Sequence, residues 1–564
     1  MFESELLTQG FSTLLSNPQA LLFATFGVML GIVIGALPGL TATMGVAILL
    51  PFTYGMEPVS GLLMICGVFF GGVYGGSITA ILLKIPGTPA AAATAIDGYE
   101  LTKQGKAGLA LSAATFSSFS GGTLSIIVLM FLSPVLASWA LKFSASESFA
   151  LATFGLSIIA SISGESLIKG LIAGVGGLLI ATIGLDPMGG FPRFTGGFVE
   201  LMNVPFIPVM IGLFAASEAF RSMEQNQQIR QGAKVAIGSL LLPWQTLRRI
   251  ALTILRSSGL GVFIGMIPGA GADIAAFVAY NETRRFSKTP ENFGKGEIKA
   301  VASCEAGANG CTGGALLPML TLGIPGDAVT AIMLGALTLQ GMQPGPLMFT
   351  DHGDMVYTLF VGMIFCYFML LVLGLLSLKV IGNVVKIPGN ILTPMILALC
   401  VVGTYALNNS LFDVDIMLIA GVVGYFMQKG GYPASPVVLA LIMGPMAECA
   451  VAFRGFTGLS VYPTDNPGIA DTGSLYATDA NNTQNYALTA SVIDIAPRRW
   501  GAFFYFSRRR AASTTIFTAW LSVCFIVSAF GISCWVRLTI TPATIPARRP
   551  WLAHMVSRVA DSIS

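Results

Sequence analysis

The sequence predicts an all-α polytopic membrane protein of roughly 11–13 transmembrane helices, built as two inverted repeats whose helices are broken at Pro-Gly pairs. Three observations carry that expectation. Apolar residues make up 54% of the 564 residues and charged residues only 10%, against roughly 25% charged in ordinary soluble domains. The apolar residues fall in long unbroken runs, not in the alternating polarity of a membrane β-strand. Pro-Gly segments recur in the same order in the two halves of the chain.

The charge density excludes several classes. Too few charges are present to cover soluble domains of this size, and a mean hydropathy of +0.77 excludes disorder. Lipid forces the backbone to satisfy its own hydrogen bonds, so helices follow. A net charge of +3 argues for no nucleic-acid partner. The two histidines, His352 and His554, cannot build a His-rich metal site, and the eight cysteines have no CxxC spacing, so no metal site is expected. No Walker A, GxSxG or HExxH sequence occurs, so no catalytic residue is assigned and ATP is not the energy source. No Lys or Arg precedes Lys84, so the basic segment of a signal peptide is missing.

Along the chain, apolar runs near 19–50, 58–83, 107–140, 146–162, 167–185 and 202–219 form the first half. Runs near 250–280, 300–340, 355–384, 390–407, 414–427 and 432–452 form the second, with one more at 512–533. About 20 apolar residues cross the hydrocarbon core, so the longer runs must be interrupted. Residues 31–50 and 261–280 share Gly31, Ile34, Gly35, Pro38, Gly39 and Ala42 at an offset of 230. Residues 72–89 and 311–328 share Gly75, Leu83, Ile85, Pro86 and Gly87 at an offset of 239. The paired matches predict an internal duplication.

Loop charges orient the halves. The loop 51–60 has no basic residue, whereas its counterpart 281–299 has Arg284, Arg285, Lys288, Lys295 and Lys299. The loop 97–106 has Lys103 and Lys106, whereas 341–354 has none and carries Asp351 and Asp354. Because basic loops stay cytoplasmic, corresponding loops face opposite sides and the repeat is inverted. The expected organisation is a first transmembrane repeat over 1–220, a cytoplasmic connector over 221–249 and a second repeat over 250–448. Residues 449–564 differ: no lysine follows Lys429, ten arginines do, and 512–533 is one possible helix. A distinct tail and a frame change in the coding sequence both fit that shift.

Each Pro-Gly pair removes a backbone donor and permits a sharp turn, so a broken or re-entrant helix is expected. Irregular backbone at membrane depth is tolerated where it lines a cavity, and freed N–H groups at a half-helix start attract anions. Candidate substrate-binding residues are therefore Pro38, Gly39, Thr41, Thr43, Ser77, Pro86, Gly87, Thr88 and Asn309. Asp273 aligns with Thr43 and Asp327 with Thr88, so carboxylates in one half replace hydroxyls in the other. These two acids are candidates for a coupling Na⁺ or H⁺, and each also suits a helix cap. Glycines at four-residue spacing (Gly27, Gly31, Gly35, Gly39; Gly67, Gly71, Gly75; Gly261, Gly265, Gly269) read as close helix packing.

The segments GIVIGALPGLTATMGVAILLP, FFGGVYGGSITAILLKIPGTPAAAATAIDGYELTKQGKAGLAL and GVFIGMIPGAGADIAAFVAY closely resemble the TctA family, the large membrane subunit of tripartite tricarboxylate transporters. The resemblance covers roughly residues 1–448 and is most specific at 71–76 joined to 85–89. It implies a multi-pass permease of the bacterial inner membrane, in contact with lipid. It also implies a small transmembrane subunit, a periplasmic solute-binding protein, and ion-driven uptake of an organic anion such as citrate. No other cofactor is expected. The alternatives are a passive anion channel or an intramembrane enzyme. The enzyme would need a nucleophile or metal cluster, and His352, beside Asp351 and Asp354, has no nucleophile near it in sequence.

Overall fold

The computed structural model of the chain describes residues 4–37, 40–142, 166–185, 191–202, 204–225, 242–377, 389–441 and 444, with five strand segments between 459 and 506. Pro38, Gly39, the run 146–162, residues 226–241 of the predicted connector and the predicted helix 512–533 lie outside the described residues. The chain divides into two units, Met1–Phe143 with Ala150–Glu448, and Ser144–Phe149 with Cys449–Ser564.

The first unit is helical. Its helices are α1 (Ser4–Ser16), α2 (Pro18–Ala36), α3 (Ala42–Leu49), α4 (Pro58–Leu83), α5 (Ala91–Lys103), α6 (Ala107–Ala140) and α7 (Leu167–Ala181). A short antiparallel pair follows, β1 (Gly184–Leu185) with β2 (Pro192–Arg193). Then come α8 (Phe206–Ile211), a π-helical turn (Gly212–Ala216) and α9 (Ser217–Gln225), which run as one rod. The second half holds α10 (Trp244–Gly265), α11 (Gly271–Arg285), α12 (Ile298–Leu322), α13 (Ala328–Leu339), α14 (Gly353–Ser377), α15 (Gly389–Asn408) and α16 (Leu411–Lys429). Among the described residues, six helices are long and apolar enough to cross a membrane, and four shorter apolar helices accompany them. The chain is an all-α polytopic membrane protein. In the second unit the described residues are strands: β3 (Leu459–Tyr462), β4 (Leu475–Asp479) and β5 (Asn485–Leu488) form one antiparallel sheet. There, β6 (Ala490–Val492) also pairs with β7 (Phe504–Phe506).

Helices α2–α6 and α10–α14 repeat one plan: long helix, break, half-helix, long helix, break, half-helix, long helix. Capping repeats with it. Glu57 caps α4 by accepting from the Val59 and Ser60 amides, and Glu297 caps α12 by accepting from the Lys299 amide. At their far ends, α4 stops at Lys84 (φ 59°) and α12 at Gly323 (φ 70°), both left-handed. Lys84 and Gly323 are the positions that the 239-residue offset equates. A left-handed cap is cheap for glycine and costly for lysine, so the turn is dictated by the surrounding structure.

Direction follows from contacts. Gly27, Gly31 and Gly35 of α2 lie against Met64, Val68 and Gly72 of α4, so these helices run parallel. Gly261 and Gly265 of α10 lie against Gly307 and Cys311 of α12 in the same way. A side chain on any of these glycines would strike a facing backbone carbonyl, so the strips set the helix separation. The last helix of each repeat packs on the other repeat: Ser118 and Ser125 of α6 meet Glu305 and Asn309 of α12, and Cys366 of α14 donates to the Leu63 carbonyl of α4. Gln104 Nε2, at the end of α5, donates to the Lys295 carbonyl just before α12 at 2.8 Å. Gln340 Nε2, at the end of α13, donates to the Thr53 carbonyl just before α4 at 2.9 Å. Thr102, near the end of α5, donates to the Ile81 carbonyl near the end of α4, so the start of α12 lies by the end of α4 and the two long helices run in opposite directions.

The outer helices follow the same exchange. Gly212, beside α8, lies against Met417 and Gly421 of α16, while Gly177 of α7 lies against Val437.

Candidate functional site

The breaks draw half-helix starts together. At the third break, Gly269 (φ 85°) donates its amide to the Gly326 carbonyl of the fourth at 2.6 Å. At the second, the Gly87 amide donates back to Gly76 of α4 at 3.3 Å, so the segment after Lys84 folds back along α4 before α5 begins. Gly87 is so close to the Gly35 carbonyl of α2 that a Cβ there would strike it.

The starts of α3, α5, α11 and α13 all border one cavity of about 480 Å³. Thr41 and Thr43 line it from α3, Thr88 from the approach to α5, Asp273 from α11 and Asp327 from the start of α13. Four helix starts, with their positive dipole ends, border one space; α5 and α11 have no side-chain cap. Phe214, in the π-helical turn, and Glu218 close another wall. Such a turn widens a helix locally and frequently marks a functional site.

The polar groups differ in what they already bond. Thr41 Oγ1 accepts from the Met44 amide at 3.2 Å and so caps α3. Asp327 Oδ1 accepts from the Thr330 amide at 2.8 Å, while Thr330 Oγ1 accepts from the Asp327 amide, a closed capping box. Asp273 lies in the first turn of α11, its carboxylate beside Gly271 (φ 71°), where a Cβ would come within 2.6 Å of Oδ1. Thr88 is buried, and its hydroxyl has no hydrogen-bond partner among the described residues. A buried hydroxyl without a partner is costly unless a ligand or water supplies one.

The structure gathers Thr41, Thr43, Thr88, Asp273 and Asp327 around the cavity. Pro38 and Gly39 lie outside the described residues. Pro86, Gly87, Ser77 and Asn309 do not line the cavity. Ser77 is buried in α4 and donates to the Tyr74 carbonyl. Asn309 is buried in α12, where Nδ2 donates to the Glu305 carbonyl and Oδ1 has no partner among the described residues. Lys84 is turned away from the cavity over the Tyr99 ring, 5.9 Å from its centroid.

Three acids were not singled out in the sequence. Glu218 borders the cavity and lies 3.7 Å from Arg221. Asp97 on α5 is 1% exposed and accepts from the Tyr280 hydroxyl and from the amides of Gly294, Gly296 and Glu297. It ties the first repeat to the loop entering α12. Glu305 is buried within α12 and accepts from Thr94 and Ser118. Glu218 and Glu305 stand in apolar runs, and the rule that picked out Asp273 and Asp327 applies equally to them.

Residues 21–439 match a family described as the tripartite tricarboxylate transporter TctA family. The chain is 37% identical over 443 residues to an uncharacterised 52.8 kDa protein in the TAR-I ttuC′ 3′ region of Agrobacterium vitis, covering 78% of this chain and 88% of that one. It is 33% identical over 188 residues to an uncharacterised protein in the TAR-II ttuC′ 3′ region of the same organism, covering 33% of this chain and 78% of that one. No solved structure matches the chain.

Proposed function

The chain belongs to the tripartite tricarboxylate transporter TctA family, and on that premise we propose that it is the large permease subunit of a secondary transporter for small organic anions. Its substrates are carboxylates such as citrate. They are delivered by a periplasmic solute-binding protein, taken across the bacterial inner membrane together with a small transmembrane subunit, and driven by an ion gradient. The observation that carries this reading is the meeting of four half-helix starts at one cavity near the repeat interface.

The two sides of that cavity have different chemistry. On the first-repeat side, α3 and α5 begin with Thr41, Thr43 and Thr88, which add hydroxyl donors to positive helix ends and suit a carboxylate. On the second-repeat side, α11 and α13 begin with Asp273 and Asp327, which offset those helix ends and suit the coupling cation. A substrate carboxylate and a cation then occupy opposite walls and attract each other. Alternating access moves one repeat against the other around them.

The test is uptake of labelled citrate and other di- and tricarboxylates by vesicles holding the complete transporter, under separate Na⁺ and proton gradients. Accumulation against the substrate gradient supports the reading. Dissipation without accumulation under either gradient supports a passive channel and removes it. Asp327→Asn with unchanged dependence on the ion gradient removes Asp327 from the coupling role.

A further inference from the structure

Glu305 lies in α12 and is 2% exposed. Its partners are hydroxyls. Thr94 Oγ1 on α5 donates to Oε1 at 2.5 Å, and Ser118 Oγ on α6 donates to Oε2 at 2.9 Å. Ser77 on α4 also reaches this carboxylate. All three hydroxyls belong to the first repeat, whereas the carboxylate belongs to the second.

No cation neutralises it among the described residues. Of the three arginines of α10, Arg249 pairs with Glu297, Arg256 pairs with Glu282, and Arg248 is exposed. The helix α6 carries no ionisable side chain. On α5, Asp97 is committed to Tyr280 and the amides of residues 294–297. Among the described residues, the Tyr74 phenol on α4 and the Cys304 thiol on its own helix interact electrostatically with Glu305. A charge at membrane depth with no counter-ion is expensive, and such acids mark proton or ion pathways. Oxygen separations of 2.5 and 2.9 Å are direct hydrogen bonds and leave no gap for a metal cation between hydroxyl and carboxylate.

From this we infer that Glu305 is a proton-binding site of the transporter, and that its charge state sets the grip of the second repeat on α5. The inference rests on the transporter reading above and is separate from any cation held between Asp273 and Asp327. Proton uptake forms one O–H bond on the carboxylate, and a hydroxyl that donated to that oxygen turns to accept. Release reverses both changes, and nothing is oxidised or reduced. Hydrogen bonds to the charged form are the stronger ones, so the proton loosens Thr94 and Ser118 from α12. Thr94 is in the first turn of α5, and Thr88 lies three residues before that helix begins in the cavity wall. A change in the hold on Thr94 therefore reaches the substrate side of the cavity.

The experiment uses the complete transporter in proteoliposomes, with labelled citrate, succinate and malate as probes. It measures accumulation under an imposed pH gradient and counterflow as a function of pH. Glu305→Gln is expected to lower pH-driven accumulation by about tenfold or more, while counterflow continues with a flattened pH profile. Wild-type accumulation and a wild-type pH profile in Glu305→Gln overturn the inference. Loss of counterflow together with accumulation reduces Glu305 to a structural residue and overturns it too. Should Glu305→Gln fail to assemble, Thr94→Val and Ser118→Ala each must shift the pH profile of uptake, and an unshifted profile in both overturns the inference. Failure of the transporter reading itself shows separately, as a wild type that accumulates none of the three acids under any gradient.

Discussion

Thr88 and Asp327 stand at aligned positions and do different things. Asp327 fills its own helix start, whereas Thr88 leaves a buried hydroxyl free at the cavity. Replacing Thr88 by Val keeps the shape and removes the donor. The expected outcome is a rise in KM for the preferred carboxylate of about five- to tenfold, from a lost bond of about 1 kcal/mol, read in counterflow assays at equal protein level. Asn caps a helix about as well as Asp, so Asp327→Asn separates cap from charge. It should leave thermal stability within about 0.5 kcal/mol of wild type and change the gradient dependence, whereas Asp327→Ala should also lose about 1 kcal/mol of stability. Asp97 is tied to four donors from the other repeat, so Asp97→Ala is expected to destabilise the protein by about 3 kcal/mol in thermal unfolding. The residue types at the cavity were legible in the sequence because hydroxyls and acids beside Pro-Gly pairs stand out. Which of them keep a free polar atom was not, because that depends on partners far away in the chain.

Helix packing sorts glycines that look alike in sequence. On α10, Gly261 lies against the Gly307 carbonyl, whereas Gly259 has open space around its Cβ position. Gly261→Ala should therefore cost about 1–3 kcal/mol through overpacking. Gly259→Ala should be neutral or stabilise by about 0.5–1 kcal/mol, since alanine favours the helix interior. Thermal unfolding in detergent of the two variants side by side checks this, and equal effects would contradict the packing described. The four-residue glycine spacing announced close helix packing correctly, because a period near one turn places small residues on one face. It did not announce the partner. Ser77 and Asn309 show the same limit. Each is buried in a long helix and does not line the cavity: Ser77 turns its hydroxyl to the Tyr74 carbonyl, and Asn309 lies within the unbroken helix Ile298–Leu322.

Across the whole molecule, the inverted arrangement places the basic loops on one side and the acidic loop 341–354 on the other. The described cysteines are buried, so with Cys449, Cys524 and Cys534 replaced by Ser a single exposed cysteine can report sidedness. Lys106→Cys and Lys288→Cys should label only from the cytoplasmic side, and Tyr54→Cys and Asp351→Cys only from the opposite side. Labelling of all four from one side would contradict the topology. The sequence by itself determined the membrane class and the family, and it led to the expectation of a duplicated, inverted repeat with helices broken at Pro-Gly pairs. Those properties are local or additive: run length, charge bias, and the backbone chemistry of proline and glycine. Only the tertiary structure decided that the four half-helix starts share a cavity, that Thr88 is unpartnered there, and that Glu305 is enclosed by hydroxyls of the opposite repeat. Each of these arises because helices of one repeat pack on the other, a pairing of residues up to about three hundred positions apart that no local pattern encodes.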